Sequence, residues 1–393
     1  MTIQTVTDAI RYVGVDDNTL ALFENQYPVQ PMGVSYNSYV ILDEKIAVMD
    51  SVDARAAEEW LSNVARVLEG RSPDYLVVTH MEPDHSGSLM RLAQKYPEMK
   101  IVGNAKTFTT IKQFFGTGVL TESRMLEVGE GDTLSLGTHR LRFLLAPMVH
   151  WPEVMTAYEE TEKILFSADA FGRFGSLERT ARAPWAPQAR RYYYNIVGKY
   201  GAQVQALLKK VFALEIKTIC PLHGPMLTEG LEEYLRLYDL WSQWKPEEPE
   251  SILIAHASIH GNTAHASEIL KGKLEGKGAQ VTMCDLTATD LSYAVTSAFY
   301  CGKLVLACST YDGGLFPPMK EFLEHLQTKG FRNRRVGLIE NGSWAPAAAR
   351  LMRTKLEEMK DIHLYETVVS LRSALNQTSE VQMDALVAEL CAE

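Results

Sequence analysis

Residues 75–87 read Tyr75-Leu-Val-Val-Thr79-His80-Met-Glu82-Pro-Asp84-His85-Ser-Gly87, an apolar and β-branched run that stops at a cluster of ionisable side chains. Tyr75–Thr79 has the composition of a buried strand, and loops at strand ends are where a fixed scaffold carries chemistry. Four ionisable groups placed after a buried strand are costly unless they are solvated, paired or bound to a metal. His80, Glu82, Asp84 and His85 are therefore read as metal ligands, ahead of a helix that follows the Gly-Ser step.

Working outward, three further positions repeat the arrangement of an apolar run followed by an ionisable residue. They are His150 in Pro147-Met-Val-His150-Trp-Pro152, Asp169 in Phe166-Ser-Ala-Asp169-Ala170, and His223 in Cys220-Pro-Leu-His223-Gly-Pro225. Each alone reads as a packed or hydrogen-bonded residue. On neighbouring strands of one sheet, the same loops converge on one edge and supply four imidazoles and three carboxylates. Upstream, Tyr36–Leu42 and Lys45–Asp50 read as an antiparallel hairpin turning at Asp43-Glu44, and Trp60, Leu61, Val64, Val67 and Leu68 mark an amphipathic helix. The N-terminal part is a mixed sheet with helices.

Lys245-Pro-Glu-Glu-Pro-Glu-Ser251 reads as a linker. Beyond it, Ile252–Ala257, Val281–Cys284, Leu304–Cys308 and Val336–Ile339 alternate with helix-length segments, the rhythm of a parallel α/β sheet. The domains are expected at 1–248 and 249–393. Three strand ends carry loops: Ser258-Ile-His260-Gly261-Asn262-Thr263, Ser309-Thr310-Tyr311-Asp312-Gly313-Gly314, and Asn341-Gly342-Ser343-Trp344. The first opens a helix stripe of Ala266, Ile269, Leu270 and Leu274, so a phosphate there meets backbone N–H groups and the helix dipole. Without a G-x-x-x-x-G-K-[ST] motif, a monophosphate ester fits better than a nucleoside triphosphate. Tyr311 and Trp344 offer faces to a flat ring, although Trp344 alone reads as core packing.

The 393 residues carry 39 Lys and Arg against 49 Asp and Glu, a net charge of −10 that repels a phosphate backbone, so nucleic acid is not an expected partner. No signal-like segment or membrane-length apolar run stands out, and the five cysteines include no C-x-x-C pair. A soluble protein of the reducing cytoplasm is expected, with no membrane partner.

The H-x-E-x-D-H run with the later His, Asp and His resembles the metallo-β-lactamase-like domain of flavodiiron proteins, and the three loops resemble flavodoxin. The resemblance covers essentially the whole chain. It implies an N-terminal αββα sandwich and a C-terminal doubly wound parallel sheet of order 2-1-3-4-5. It further implies two non-heme irons, one held by His80, Glu82 and His150, the other by Asp84, His85 and His223, with Asp169 as the bridge. FMN would be held by Ser258, His260–Thr263, Ser309–Gly314 and Asn341–Trp344. Hydrolases of the superfamily carry a second His where Glu82 stands, and an added carboxylate favours iron over zinc.

The implied reaction is reduction of dioxygen to water, nitric oxide to nitrous oxide, or both, with electrons entering through FMN from an external donor such as rubredoxin or a reduced cofactor. The implied assembly is a head-to-tail homodimer or a tetramer. A zinc hydrolase with a flavodoxin-like appendage is the alternative. Phe23-Glu24-Asn25-Gln26 departs from members with a His in that neighbourhood, and Tyr192-Tyr193-Tyr194 reads either as family sequence or as the packed start of a helix.

Overall fold

The computed structural model describes residues 4–392. Two compact units emerge, one of residues 1–193 and 200–239, the other of residues 194–199 and 240–393.

In the first unit, seven strands run in the order Gln4–Thr5, Ile10–Tyr12, Tyr39–Ile41, Ala47–Met49, Tyr75–Val77, Lys100–Gly103, Met125–Glu127. The first four pair antiparallel and the last four parallel, sharing Ala47–Met49. A second sheet follows the order Thr133–Ser135, Arg140–Leu145, Met155–Glu159, Ile164–Phe166, Thr218–Cys220. The inward residues of both sheets, among them Tyr12, Tyr39, Met49 and Val77 against Leu141, Phe143, Ala157 and Phe166, form one buried core, which makes a sandwich. On its outside, the helix Ala57–Leu68 buries Trp60, Val64 and Leu68 at helical spacing.

The expected hairpin is present with a shifted start. Its first strand begins at Tyr39, while Tyr36 belongs to Val34–Tyr36, paired with Val15–Asp17. The break falls at Asn37, whose side-chain amide donates to Pro221 O at 2.7 Å and Gly224 O at 2.8 Å, so the chain bends to serve a distant loop. Tyr192 ends the helix Trp185–Tyr192, and Tyr193–Val197 continue as a π-helical turn, so the three tyrosines are buried at a helix end rather than a start.

The second unit has five parallel strands: Glu248–Ala257, Val281–Asp285, Cys301–Tyr311, Arg334–Asn341 and Ile362–Leu371, in the order 2-1-3-4-5. The core is lined by Ile252, Ile254, Val305 and Ile339 against Ala266, Leu270 and Leu274 of the helix Asn262–Glu275 and Met383, Leu386 and Leu390 of the helix Gln377–Cys391. The linker reading of Lys245–Ser251 is corrected here, because Glu248–Ser251 already belong to the first strand. Glu248 pairs with Cys301, Ile252 with Lys303, and the register shifts between them. Pro249 sits in this irregular stretch, where a missing N–H costs no ladder bond. Its carbonyl lies so close to Gly302 that a Cβ there would be 1.9 Å away, so only glycine fits.

Candidate functional site

The strand Tyr75–Val77 delivers Thr79 and His80 to the edge of its sheet, and buried Asp50 holds them there. Its carboxylate accepts from Thr79 N at 2.7 Å and Thr79 Oγ1 at 2.6 Å, while burial pushes its pKa up to about 6 against those hydrogen bonds. Pro83 then opens the short helix Pro83–Ser86, where its missing N–H costs nothing, and this turn carries Asp84 and His85. Ser51 Oγ donates to His85 O at 2.6 Å.

All seven predicted residues converge, and all are buried. His80, Glu82, His150 and Asp169 bring one donor atom each within 4.8 Å of one another, and Asp84, His85 and His223 do the same. Asp169 faces both groups with different oxygens. Its Oδ2 lies 3.3 Å from His80 Nε2 and 3.1 Å from His150 Nε2, and its Oδ1 lies 3.2 Å from His85 Nε2 and 3.8 Å from His223 Nε2. Glu82 Oε2 is 3.0 Å from His150 Nε2 and Asp84 Oδ2 3.2 Å from His223 Nε2.

The outer ring nitrogens explain why the inner ones are available. His80 Nδ1 lies 2.9 Å from Glu153 Oε1, and His223 Nδ1 donates to Ser35 O at 2.7 Å, so in neutral rings both Nε2 lone pairs point inward. His85 Nε2 and His223 Nε2 stand only 3.1 Å apart. Asp84 Oδ1 and Asp169 Oδ1 are buried without a hydrogen-bond partner among the described residues. Burial alone would lower the histidine pKa values, yet the Asp169, Glu153 and Glu82 carboxylates hold His80 well above the usual range, and Asp169 and Glu82 lift His150 to about 9. Asp169 is held well below the carboxylate range, against its own burial, by His80 and His85. A pocket that retains protons this firmly is a pocket for positive charge, and a cation fits the converging lone pairs better than protons do.

Several contributors escape reading from sequence. Ser35 and Asn37 fix the His223 loop, with Gly224 N donating to Ser35 Oγ at 2.7 Å. Glu153 backs His80 only three positions beyond His150 in the chain. Phe23 packs edge-on to His223, ring centroids 5.3 Å apart. Beside it, Glu24 and Asn25 form the tip of a tight hairpin, both at positive φ. The Glu24 residue is exposed at that tip while its carboxyl end packs beside Glu82, and burial together with that charge raises its pKa to about 8. Tyr192 lies 5.5 Å from His223 between ring centroids, with a buried hydroxyl that has no hydrogen-bond partner among the described residues.

In the second unit, a cavity of about 570 Å³ is lined by thirteen of the fifteen predicted cofactor contacts. The exceptions are Gly261, which precedes the helix at φ +90°, and Gly314, which pairs with Tyr311. Ile259, Ala345 and Ser373 line it as well. The loops are tied together by Thr263 Oγ1 to Ser309 Oγ at 2.9 Å and by Asn341 Nδ2 to Ser373 O at 2.9 Å. The helix Asn262–Glu275 starts with no side-chain cap, which leaves its first N–H groups for an anion. Trp344 is 88% exposed, which overturns the reading of that residue as core packing.

Comparison with known proteins accords with this geometry. The family described as ODP family beta lactamase matches residues 34–224, a span that includes all seven ionisable residues as well as Ser35 and Asn37. The chain is 29% identical over 390 residues to a putative diflavin flavoprotein A 1 of Nostoc, covering 97% of this chain and 66%, just under two thirds, of that protein. It is 28% identical to an anaerobic nitric oxide reductase flavorubredoxin of Aliivibrio salmonicida (94% of this chain, 74% of that one) and 29% identical to the flavo-diiron protein FprA2 of Clostridium acetobutylicum (90% of each). Over nearly its whole length this chain is thus similar to flavodiiron proteins. Its fold is shared with rubredoxin oxygen:oxidoreductase of Desulfovibrio gigas, at a TM-score of 0.91 and 24% identity over the full length of both chains. No helix among the described residues is long and apolar enough to cross a membrane.

Proposed function

We propose that the protein is an oxidoreductase that reduces dioxygen to water, nitric oxide to nitrous oxide, or both, at a pair of non-heme irons, with electrons entering through FMN. The observation that carries the reading is Asp169, one buried carboxylate that turns one oxygen to each of two metal-ready groups. In this reading residues 1–248 form the metal domain and 249–393 the flavin domain.

His80, Glu82 and His150 would hold one iron, Asp84, His85 and His223 the other, and Asp169 would join them. When bound, FMN supplies conversion between two-electron and one-electron transfer, and the irons supply the electrons that reach the gas. The chain's own residues do the rest. Glu153 and Ser35 O set the tautomers of His80 and His223, and Phe23 shields His223 from water. In the flavin domain, Ser258, Asn262 and Thr263 would bind the phosphate at the uncapped helix start, and Tyr311 and Trp344 would flank the ring. Glu82 favours iron over the zinc of a hydrolase. A separate donor protein such as rubredoxin or a reduced cofactor supplies the electrons, and a head-to-tail homodimer or a tetramer is the assembly that goes with this reading.

The test is elemental and flavin analysis followed by anaerobic turnover of the reduced protein with dioxygen and nitric oxide in parallel. About two irons and one FMN per chain with consumption of at least one gas are expected. Full zinc occupancy under ample iron, with no flavin, would overturn the reading.

A further inference from the structure

The two halves of the metal site match in their inner donors, two imidazoles and one carboxylate each around Asp169. They differ in what stands behind the imidazoles. Glu153 Oε1 lies 2.9 Å from His80 Nδ1 and accepts from Met81 N at 2.9 Å. Glu153 is 1% exposed, and its backbone carbonyl accepts from Asn104 Nδ2 at 2.6 Å. Asn104 also caps the helix Ala105–Phe115, so this carboxylate stands on a rigid support. His223 Nδ1 donates to the neutral carbonyl of Ser35, and His85 Nδ1 has no hydrogen-bond partner among the described residues, the nearby Asp50 carboxylate accepting from Thr79 instead.

A full negative charge on the far side of one imidazole strengthens that ring as a donor, and in a water-poor interior it favours the higher positive charge nearby. A dipolar carbonyl does this more weakly. We propose that Glu153 is a positioning residue that makes the two metal positions unequal. It locks His80 with Nε2 toward the pair and directs ferric charge to the position of His80, Glu82 and His150 whenever the pair is half oxidised. The inference rests on the diiron reading above.

Glu153→Gln separates charge from geometry, because the amide oxygen still accepts from His80 Nδ1 and Met81 N. The full-length, iron-loaded protein is titrated reductively while the mixed-valent signal is followed by electron paramagnetic resonance. In Glu153→Gln the two iron potentials should draw together, the lower one moving more because that step is the one-electron reduction of the ferric ion at the His80 position. The peak mixed-valent signal should fall about threefold or more. Glu153→Asp, which keeps the charge, should retain the parent separation. An unchanged separation in Glu153→Gln, or movement of the upper potential alone, overturns the proposal.

If Glu153→Gln does not retain two irons, the metal-free full chain is titrated with cobalt(II) and read by its visible absorption. One of two binding steps should weaken by about 10–100-fold and the other stay in place. Equal weakening of both steps, or of neither, overturns the proposal. Failure of the parent protein to take up two irons counts against the diiron reading instead.

Discussion

Seven ionisable side chains from four loops close the metal site until its least buried members are only 8% exposed, whereas the cavity of the second unit is bounded by hydroxyls, backbone and a tryptophan that is 88% exposed. The first site concentrates charge and needs charge to complete it, since its carboxylates and imidazoles hold one another's protons far from their ordinary balance. The second contains few ionisable groups, chiefly His260 and Asp312, and presents orphan N–H donors and open aromatic faces. Removing a group from the first should therefore affect the whole cluster. Removing one from the second should subtract a local contact.

The sharpest way to break this contrast is Asp169→Ala, which takes away the carboxylate that, among the described residues, faces both metal positions. Metal content should fall from about two to below one per chain, and gas reduction by at least about a thousandfold, while FMN stays bound. Plasma emission spectrometry and the flavin absorbance on one sample decide it. Loss of flavin in step with metal would mean that the two sites do not fail separately.

Glu82→His is the next largest effect. It replaces a hard anionic oxygen with a neutral nitrogen and raises the charge of the metal cluster by one unit, so ferric iron is less stabilised and zinc better tolerated. At equal metal supply the iron-to-zinc ratio should fall about tenfold or more, with a large loss of turnover and with chemical reduction of the flavin unaffected. Parent-level iron and turnover would remove Glu82 from the ligand set.

The same contrast governs what can be read from sequence. His80–His85 is legible because four ionisable groups cannot follow a buried strand without a reason. His150, Asp169 and His223 become legible only through that run, because each alone looks like a packed residue. Their supports stay hidden. Asn37 reaches Pro221 across 184 positions and His223 reaches Ser35 across 188, and no local pattern records either contact. Glu153 is a single acid in the largely apolar segment Pro147–Ala157, and its role depends on which ring lies opposite.

In the second unit the four apolar runs mark the sheet, whose order 2-1-3-4-5 follows from the family likeness and is observed. The fifth strand, Ile362–Leu371, alternates polar and apolar residues at the sheet edge and lacks such a run. The strand start at Glu248–Ser251 is masked by two prolines, which local rules assign to a linker. Trp344 taken alone reads as packed because large aromatic residues usually lie inside, whereas the reading of its loop as a ring contact agrees with its exposed place at the mouth of the cavity.

Trp344→Ala should have the smallest of these effects, and it tests whether the open pocket behaves locally. With 88% of the residue exposed, the substitution removes little packing, so thermal stability of the flavin-free protein should change by no more than about 0.5 kcal/mol. If the indole covers a bound ring, its loss removes stacking and apolar contact, weakening FMN by about 1–2 kcal/mol, roughly five- to thirtyfold in dissociation constant. Riboflavin, which has the ring but no phosphate, should lose affinity by the same factor, because the proposed phosphate donors are at the uncapped start of the helix Asn262–Glu275 rather than at Trp344. Metal content should not move. A variant that binds FMN as tightly as the parent would place the ring elsewhere in the cavity. One that loses FMN affinity but keeps riboflavin affinity would place the indole against the phosphate rather than the ring.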